Sequence, residues 1–345
     1  MPEDKNFIDT VRKFTYSAWV LVISILAASF LQIGYFSGIF VFKNQDEKKS
    51  EEGKQINVAA TIDLWQPPDI NSEGDLIKYG RELVAHTSLY LGPKGKVKAI
   101  SNGMNCQNCH LEAGTKPFGN NYAAVASKYP VFRARSGSIE SIEKRVNDCI
   151  ERSLNGEILD SGSHEMKAFV AYLNWVGKDI HKEQLPEGIG IVNLPFLERP
   201  ADPEKGRVVY KSYCARCHGK EGEGVLAENE MEWTYPPLFG PQSYNIGAGL
   251  FRMSRFAGYV KTNMPFGINF ESPFLTDEEA WDVAAYVNSM PRPGKDLSSD
   301  WPDISKKPFD HPFGPYADNF SEQEHKFGPF DPIVNAQEVQ LSSRK

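Results

Sequence analysis

The chain has 345 residues, with 45 aspartates and glutamates against 38 lysines and arginines, and a formal net charge of −7. This length exceeds one ordinary domain and suits two compact domains of about 100 to 130 residues with extensions. The acidic balance argues against nucleic acid as a partner, because proteins that bind nucleic acid carry basic surfaces. Any anionic ligand must therefore be bound by a local cluster of arginines.

The N-terminal stretch predicts a membrane anchor. Residues 14–42 carry no charged side chain, and about 20 apolar residues suffice to cross a bilayer. We expect a cytoplasmic N-terminus at 1–14, a transmembrane helix at 15–42 and a polar linker at 43–64. Cleavage by signal peptidase near Ala27–Ser29 is the alternative, but it would leave the apolar segment 30–42 at the new terminus. An uncleaved signal-anchor is therefore the better prediction.

Two short segments, Cys106–His110 and Cys214–His218, share the pattern Cys-x-x-Cys-His. This spacing lets two thiols bond to the vinyl groups of a haem while the histidine coordinates its iron. The pattern predicts two covalently attached haem c groups, and because such attachment takes place outside the cytoplasm, it predicts a periplasmic globular part held at the inner membrane. The predicted attachment residues are Cys106, Cys109, Cys214 and Cys217, and the predicted proximal iron ligands are His110 and His218.

Amphipathic segments flank each haem signal, which predicts two tandem cytochrome c-type domains and a mainly α fold. In the first domain, helices are expected at Gly74–Tyr90 and Ser163–Val176. In the second, Asp202 and Pro203 begin a helix, and Thr276–Glu279 forms a capping box at the start of another. The expected bounds are 65–180 for the first domain, 181–200 for an interdomain linker and 201–295 for the second domain.

The last fifty residues are rich in proline and show no helical period. We expect residues 296–345 to form an extended tail that wraps the domains or is partly disordered. His311 and His325 lie in this tail. They are expected to be exposed to solvent and without a chemical role.

The second axial ligand decides whether a haem only relays electrons or also meets a substrate. For the second haem, Met264 is the leading candidate, since it lies on a loop shortly before the last helix of its domain. Met253 and Lys261 are the alternatives. A methionine elsewhere in a domain most often fills the core.

The first domain has no methionine at an equivalent place and offers Cys149 instead. We expect Ser138 to cap a helix running through residues 139–153, on which Arg145, Cys149 and Ser153 form one row at a spacing of four. A small buried core residue is the ordinary alternative for a single cysteine. Arg133 and Arg135 add positive charge just upstream. Several arginines converging on a thiolate would suit a sulfonate or a similar oxyanion.

The sequence resembles the dihaem thiosulfate dehydrogenase family, whose members form tetrathionate and in some cases act chiefly as tetrathionate reductases. The resemblance extends over roughly residues 65–295. It rests on the segments Cys106–Thr115, Arg133–Gly137, Cys149–Ser153, Tyr235–Leu238, Ser243–Gly249 and Asn263–Pro265.

The resemblance implies that Cys149 is the second ligand of the first haem and that Met264 is that of the second. It also implies that Arg135, Arg145 and Ser153 bind the sulfur substrate, and that Cys149 carries a thiosulfonate while thiosulfate and tetrathionate interconvert. Some family members have lysine before the methionine and exchange ligands on reduction; Asn263 stands here, so that exchange is not expected. The implied redox partner is a soluble cytochrome or a quinone-linked membrane protein.

Two other functions are compatible with the haem-attachment signals. A membrane-anchored dihaem electron carrier would explain the haem signals and the anchor, but not the row of Arg145, Cys149 and Ser153. A cytochrome that conjugates thiosulfate onto a carrier protein would also have a cysteine-ligated haem. A spectrum with two haems ligated by histidine and methionine, and no thiolate ligation, would favour the electron carrier. Formation of tetrathionate without any carrier protein would separate the function implied by the resemblance from the conjugating cytochrome.

Overall fold

The computed structural model describes residues 12–24, 26, 64–183 and 185–343. Residues 12–24 form a helix, α1. Within these described residues, no helix is both long and apolar enough to span a bilayer. Most of the predicted transmembrane segment at 15–42 lies outside the described residues, as does nearly all of the predicted linker at 43–64.

The first haem-binding region is built on two crossed helices, α2 and α7. The two helices approach closely at Gly80, where an added Cβ would lie 2.1 Å from the Ala168 carbonyl oxygen. Leu83, Phe169 and Tyr172 are buried beside this crossing. The helices of this region are α2 (Asp75–Ala85), α3 (Thr87–Leu91), α4 (Leu111–Gly114), α5 (Val125–Lys128), α6 (Ile142–Arg152) and α7 (His164–Val176), and an antiparallel hairpin joins β1 (Val131–Arg133) to β2 (Ser138–Glu140).

The second haem-binding region repeats this crossing with α8 and α11. An added Cβ at Gly206 would lie 1.8 Å from the Asp282 carbonyl oxygen. Asp202 caps α8 as predicted, and Thr276 and Glu279 form the predicted capping box of α11. The elements are α8 (Pro203–Val209), α9 (Ala215–His218), α10 (Met253–Asn263) and α11 (Asp277–Ser289), with a π-helical turn at Tyr210–Cys214 and a short hairpin of β3 (Val225–Leu226) and β4 (Trp233–Tyr235).

The predicted start of the helix that carries Cys149 is wrong. Ser141, not Ser138, caps α6, and its hydroxyl accepts a hydrogen bond from the Lys144 backbone N–H. Residues 138–140 form the second strand of the hairpin instead, and Ile139 is exposed there. Both serines precede a run with helical spacing, so the pairing of β1 with β2 decided between them.

The tail is not wholly extended, and the prediction for its histidines is wrong. It contains α12 (Glu322–Phe327) and α13 (Asp331–Ser343), and Phe330 and Ile333 pack into the core of the second region. His325 is 1% exposed, stacks on Tyr316 and contacts the Asp318 carboxylate at 2.9 Å. His311 is buried as well. The tail is therefore part of the folded unit, because its aromatic side chains complete an apolar core.

Candidate active site and haem-binding segments

Each predicted proximal histidine is held by a backbone carbonyl group. Nδ1 of His110 contacts the Asn120 carbonyl oxygen, and Nδ1 of His218 lies 2.8 Å from that of Pro236. Such a contact fixes the orientation of the ring and leaves Nε2 for a metal. Burial lowers the pKa of His110 to about 4 and also lowers that of His218. Both imidazoles are therefore neutral, which is the form that binds iron.

A mainly apolar cavity of about 870 Å³ opens beside the second Cys-x-x-Cys-His segment. Cys214, Cys217 and His218 line it together with Met264. Its volume and apolar walls fit a haem, and the two thiols and the imidazole supply the attachment set. The walls are completed by Leu250, Phe256, Val260, Leu275, Val283 and Val287.

Of the three candidates for the second axial ligand, only Met264 lines this cavity. Met253 is 3% exposed and packs within the core. The Lys261 ammonium group pairs with Asp277 at 2.7 Å and donates to the Leu275 carbonyl oxygen at 2.7 Å. The lysine is thus bound elsewhere, and the arrangement favours the thioether of Met264.

The first haem-binding segment lies beside Cys149. The Cys149 sulfur lies within electrostatic range of the sulfur atoms of Cys106 and Cys109. Cys149 is therefore close to both attachment thiols, although about forty residues separate it from them in the sequence.

Arg145 is the charged neighbour of this thiol. The charge of Cys149 is the main cause that raises the Arg145 pKa above its ordinary value, against the effect of burial. Among the residues that the structure describes, the Arg145 guanidinium makes no hydrogen bond or ion pair, whereas its backbone N–H donates to the Ser141 carbonyl oxygen at 3.1 Å. Ser153 ends α6, where its backbone N–H donates to the Cys149 carbonyl oxygen at 2.7 Å. One turn of helix thus separates each of these three positions from the next.

Arg135 joins the cluster from the turn between β1 and β2. Its Nη1 donates to the Gly247 carbonyl oxygen at 3.1 Å. Burial and then the charge of Arg152 lower the Arg135 pKa to about 10, and Arg145 acts in the same direction. The structure therefore places Arg135 near Arg145, and Arg145 beside Cys149.

Two further charged residues belong to this cluster and were not predicted. Arg152 and Asp300 form a bidentate ion pair, with both N–O distances at 2.8 Å. Arg152 follows Cys149 by three residues on α6, so helical spacing could have indicated it. No local signal indicates Asp300, which comes from the tail. The resulting site has a thiol, several arginines and one carboxylate, and such a set can bind an oxyanion next to a nucleophilic sulfur.

Comparisons with known proteins support two cytochrome c domains. The family model "SoxA/TsdA, cytochrome c domain" matches residues 96–181, and "Cytochrome C oxidase, cbb3-type, subunit III" matches residues 201–287. The thiosulfate dehydrogenase of Psychrobacter arcticus is 35% identical over 66% of this chain and 67% of its own length. That of Allochromatium vinosum is 36% identical over 64% of this chain and 79% of its own.

A solved structure, the thiosulfate dehydrogenase TsdBA of Marichromatium purpuratum in its as-isolated form, has a TM-score of 0.60 and 30% identity. The match covers 67% of this chain and 50% of that one, so this chain spans half the length of that relative. Two cytochrome c domains with two covalently attached haem c groups define this protein as a dihaem c-type cytochrome. Within that class, the chain belongs to the thiosulfate dehydrogenase family and is an oxidoreductase.

Proposed function

We propose that this protein interconverts thiosulfate and tetrathionate beside the first haem-binding segment, where His110 and Cys149 would hold the haem iron. The observation that carries the proposal is the position of Cys149, beside the attachment cysteines and next to Arg145, which in turn has Arg135 as a charged neighbour. The related proteins named thiosulfate dehydrogenase support the choice of substrate. An electron carrier would need neither an arginine cluster nor a reactive thiol.

The arginines suit the charge of the substrate. Thiosulfate and tetrathionate are dianions, and the protein as a whole is acidic. The Arg145 guanidinium makes no hydrogen bond or ion pair with other described residues, so its donors are available to sulfonate oxygen atoms. Charge-assisted hydrogen bonds from a partly buried guanidinium are among the stronger interactions available for such a group. Arg135 and the hydroxyl of Ser153 are proposed to complete the binding set.

Cys149 provides the sulfur nucleophile. The thiolate and one thiosulfate join through a new S–S bond, giving Cys149–S–S–SO₃⁻ as two electrons leave the pair of sulfur atoms. A second thiosulfate then attacks the sulfur bonded to Cys149, which releases tetrathionate and restores the thiolate. The reverse sequence reduces tetrathionate. When bound, the two haems supply centres that take up or deliver these electrons one at a time.

The chain also connects the two haem-binding segments. The Tyr259 hydroxyl, in the wall of the second cavity, donates to the carbonyl oxygen of Asn108 at 3.1 Å. Asn108 lies between the two cysteines of the first segment, and Cys109 packs against the core of the second region. This contact supports a relay toward a second haem ligated by His218 and Met264, and onward to a soluble cytochrome or a quinone-linked membrane protein.

We further propose that the protein is held at the inner membrane by the segment at 15–42, with its globular part in the periplasm. The support is the uncharged run in the sequence and the need for haem attachment outside the cytoplasm. Fractionation of cells, followed by protease treatment of intact spheroplasts, tests both points. Release of the protein with the soluble periplasmic fraction would contradict the anchor.

Dye-linked activity of the haem-loaded protein tests the reaction. We expect turnover of thiosulfate with an oxidised acceptor, of tetrathionate with a reduced donor, or of both. Cys149→Gly should abolish this turnover while both haems stay attached. Absence of turnover in the wild type, with two reducible haems present, would leave the electron-carrier function instead, and an active Cys149→Gly variant would remove the thiol from the mechanism.

A further inference from the structure

A tripeptide of the C-terminal tail, Asp300–Pro302, encloses the turn that carries Arg135. The Trp301 backbone N–H donates to the Arg135 carbonyl oxygen at 2.7 Å. The Arg135 guanidinium also lies over the Trp301 ring, 5.6 Å from its centroid. Arg135 is therefore fixed from two sides, at its backbone and at its charged group.

Asp300 contributes a buried negative charge to the same place. Its side chain is 7% exposed and accepts hydrogen bonds from both terminal nitrogens of Arg152 at 2.8 Å. Nε of Arg135 lies 4.0 Å from Oδ2 of the same carboxylate. One carboxylate thus stands between two guanidinium groups. It reduces their mutual repulsion and sets the spacing between them.

Backbone geometry shows how closely the tail and the Arg135 turn fit. Trp301 has a φ of 61°, a left-handed conformation that is costly for a bulky residue and is kept only where its surroundings enforce it. Gly137, at the end of the turn, has a φ of 65°, and an added Cβ there would lie 2.6 Å from Cγ of Pro302. The glycine is therefore needed for the tail to approach.

We propose that Asp300 and Trp301 are positioning residues that hold Arg135 in the orientation in which it binds the sulfonate group of the substrate. The inference rests on the proposed function, since it assigns the sulfonate as the ligand of Arg135. The tail therefore contributes positioning residues to the proposed sulfur site, although none of its residues takes part in the reaction itself.

The first test compares Asp300→Asn with Asp296→Asn, which removes the same charge from an exposed position four residues upstream. Loss of a charge-assisted contact to a buried arginine predicts a rise of about tenfold in the KM for thiosulfate or tetrathionate. The kcat should change much less, and Asp300→Glu should restore part of the KM. Asp296→Asn should have the KM of the wild type.

The direction of the KM change discriminates between positioning and bulk charge. Removing a negative charge near an anion site would by itself tighten binding and lower the KM. A lowered or unchanged KM in Asp300→Asn would therefore overturn the inference while leaving the proposed function intact, provided that the wild type turns over.

A second pair of variants leaves every charge in place. Gly137→Ala pushes the tail from the Arg135 turn, whereas Gly240→Ala introduces the same left-handed strain, at a φ of 82°, with nothing within 4 Å of the new Cβ. We expect a raised KM only for Gly137→Ala. Equal KM values for the two variants would contradict the role of the tail.

A readout that needs no turnover separates this inference from the reaction. Phenylglyoxal modifies accessible guanidinium groups, and peptide mass mapping locates the modification. Arg135 should react faster in Asp300→Asn than in the wild type or in Asp296→Asn. If the wild type shows no activity, the proposed function fails, and an unchanged reactivity of Arg135 would then also refute the positioning by Asp300.

Discussion

Asp310→Asn is expected to destabilise the protein because Asp310 ties the tail to the start of α10. Its carboxylate is fully buried. Oδ1 accepts from Nε of Arg252 at 2.7 Å, and Oδ2 accepts from the backbone N–H and the hydroxyl of Ser254 at 3.0 and 2.6 Å. Asparagine keeps the shape of the side chain but presents an NH₂ group to one of these donors.

The cost follows from what the substitution leaves behind. Breaking a buried ion pair costs about 3 to 5 kcal/mol, and the lower end applies because Arg252 is 24% exposed. A loss of about 3 kcal/mol corresponds to a fall in Tm of roughly 6 to 12 °C for a domain of this size. Thermal unfolding of the haem-loaded protein, followed by circular dichroism, measures it. Asp296→Asn, on the exposed part of the tail, is the matched control.

The pH dependence of the same pair has a definite sign. Burial acts to raise the Asp310 pKa, but Arg252 and Ser254 outweigh it and hold the pKa below the ordinary value of 3.8. The stabilisation is therefore fully present above that ordinary value and is lost as the pH falls through the lower pKa of the folded protein. The wild type should lose its advantage over Asp310→Asn only in that acidic range. An Asp310→Asn variant with the same Tm as the wild type near neutral pH would refute this explanation.

Two other variants test the haem-binding regions. Met264→Ala should lower the reduction potential of the second haem, because a thioether ligand favours the reduced state. The volume-conserving control Met253→Leu should leave that potential unchanged. Equal potentials of the two variants in a redox titration would exclude Met264 as the ligand. Gly206→Ala should lower the free energy of unfolding by about 2 kcal/mol or more, since its Cβ would overlap a backbone carbonyl group of the facing helix, and Gly294→Ala, with open space around it, should not. Comparable denaturant midpoints for the two alanine variants would show that the helix crossing tolerates a methyl group.

The residues around Arg135 come from three separate parts of the chain. Arg135 comes from a hairpin of the first region, Gly247 from a loop of the second, and Asp300 from beyond both. The two family models match residues 96–181 and 201–287, so Asp300 lies outside both matched segments.

The sequence by itself determined the features whose physical cause is local. The spacing of two thiols and a histidine specifies haem attachment at Cys106–His110 and Cys214–His218 without reference to the rest of the fold. Capping side chains and a proline at the first helical position likewise predicted the starts of α8 and α11, because these groups act on amide groups within three residues. The row of Arg145, Cys149 and Ser153 follows from the period of one helix.

Tertiary structure alone decided the features that depend on partners distant in sequence. Ser141 rather than Ser138 caps α6 because residues 138–140 pair with the preceding strand. His325 is buried because Tyr316, Asp318 and the Phe309 carbonyl group surround it. Asp300 reaches Arg152 across 148 residues, and no local pattern encodes that meeting. The ion pair forms because burial of the tail's aromatic residues in the core stabilises the fold, and their packing brings the Asp300 carboxylate to the arginines.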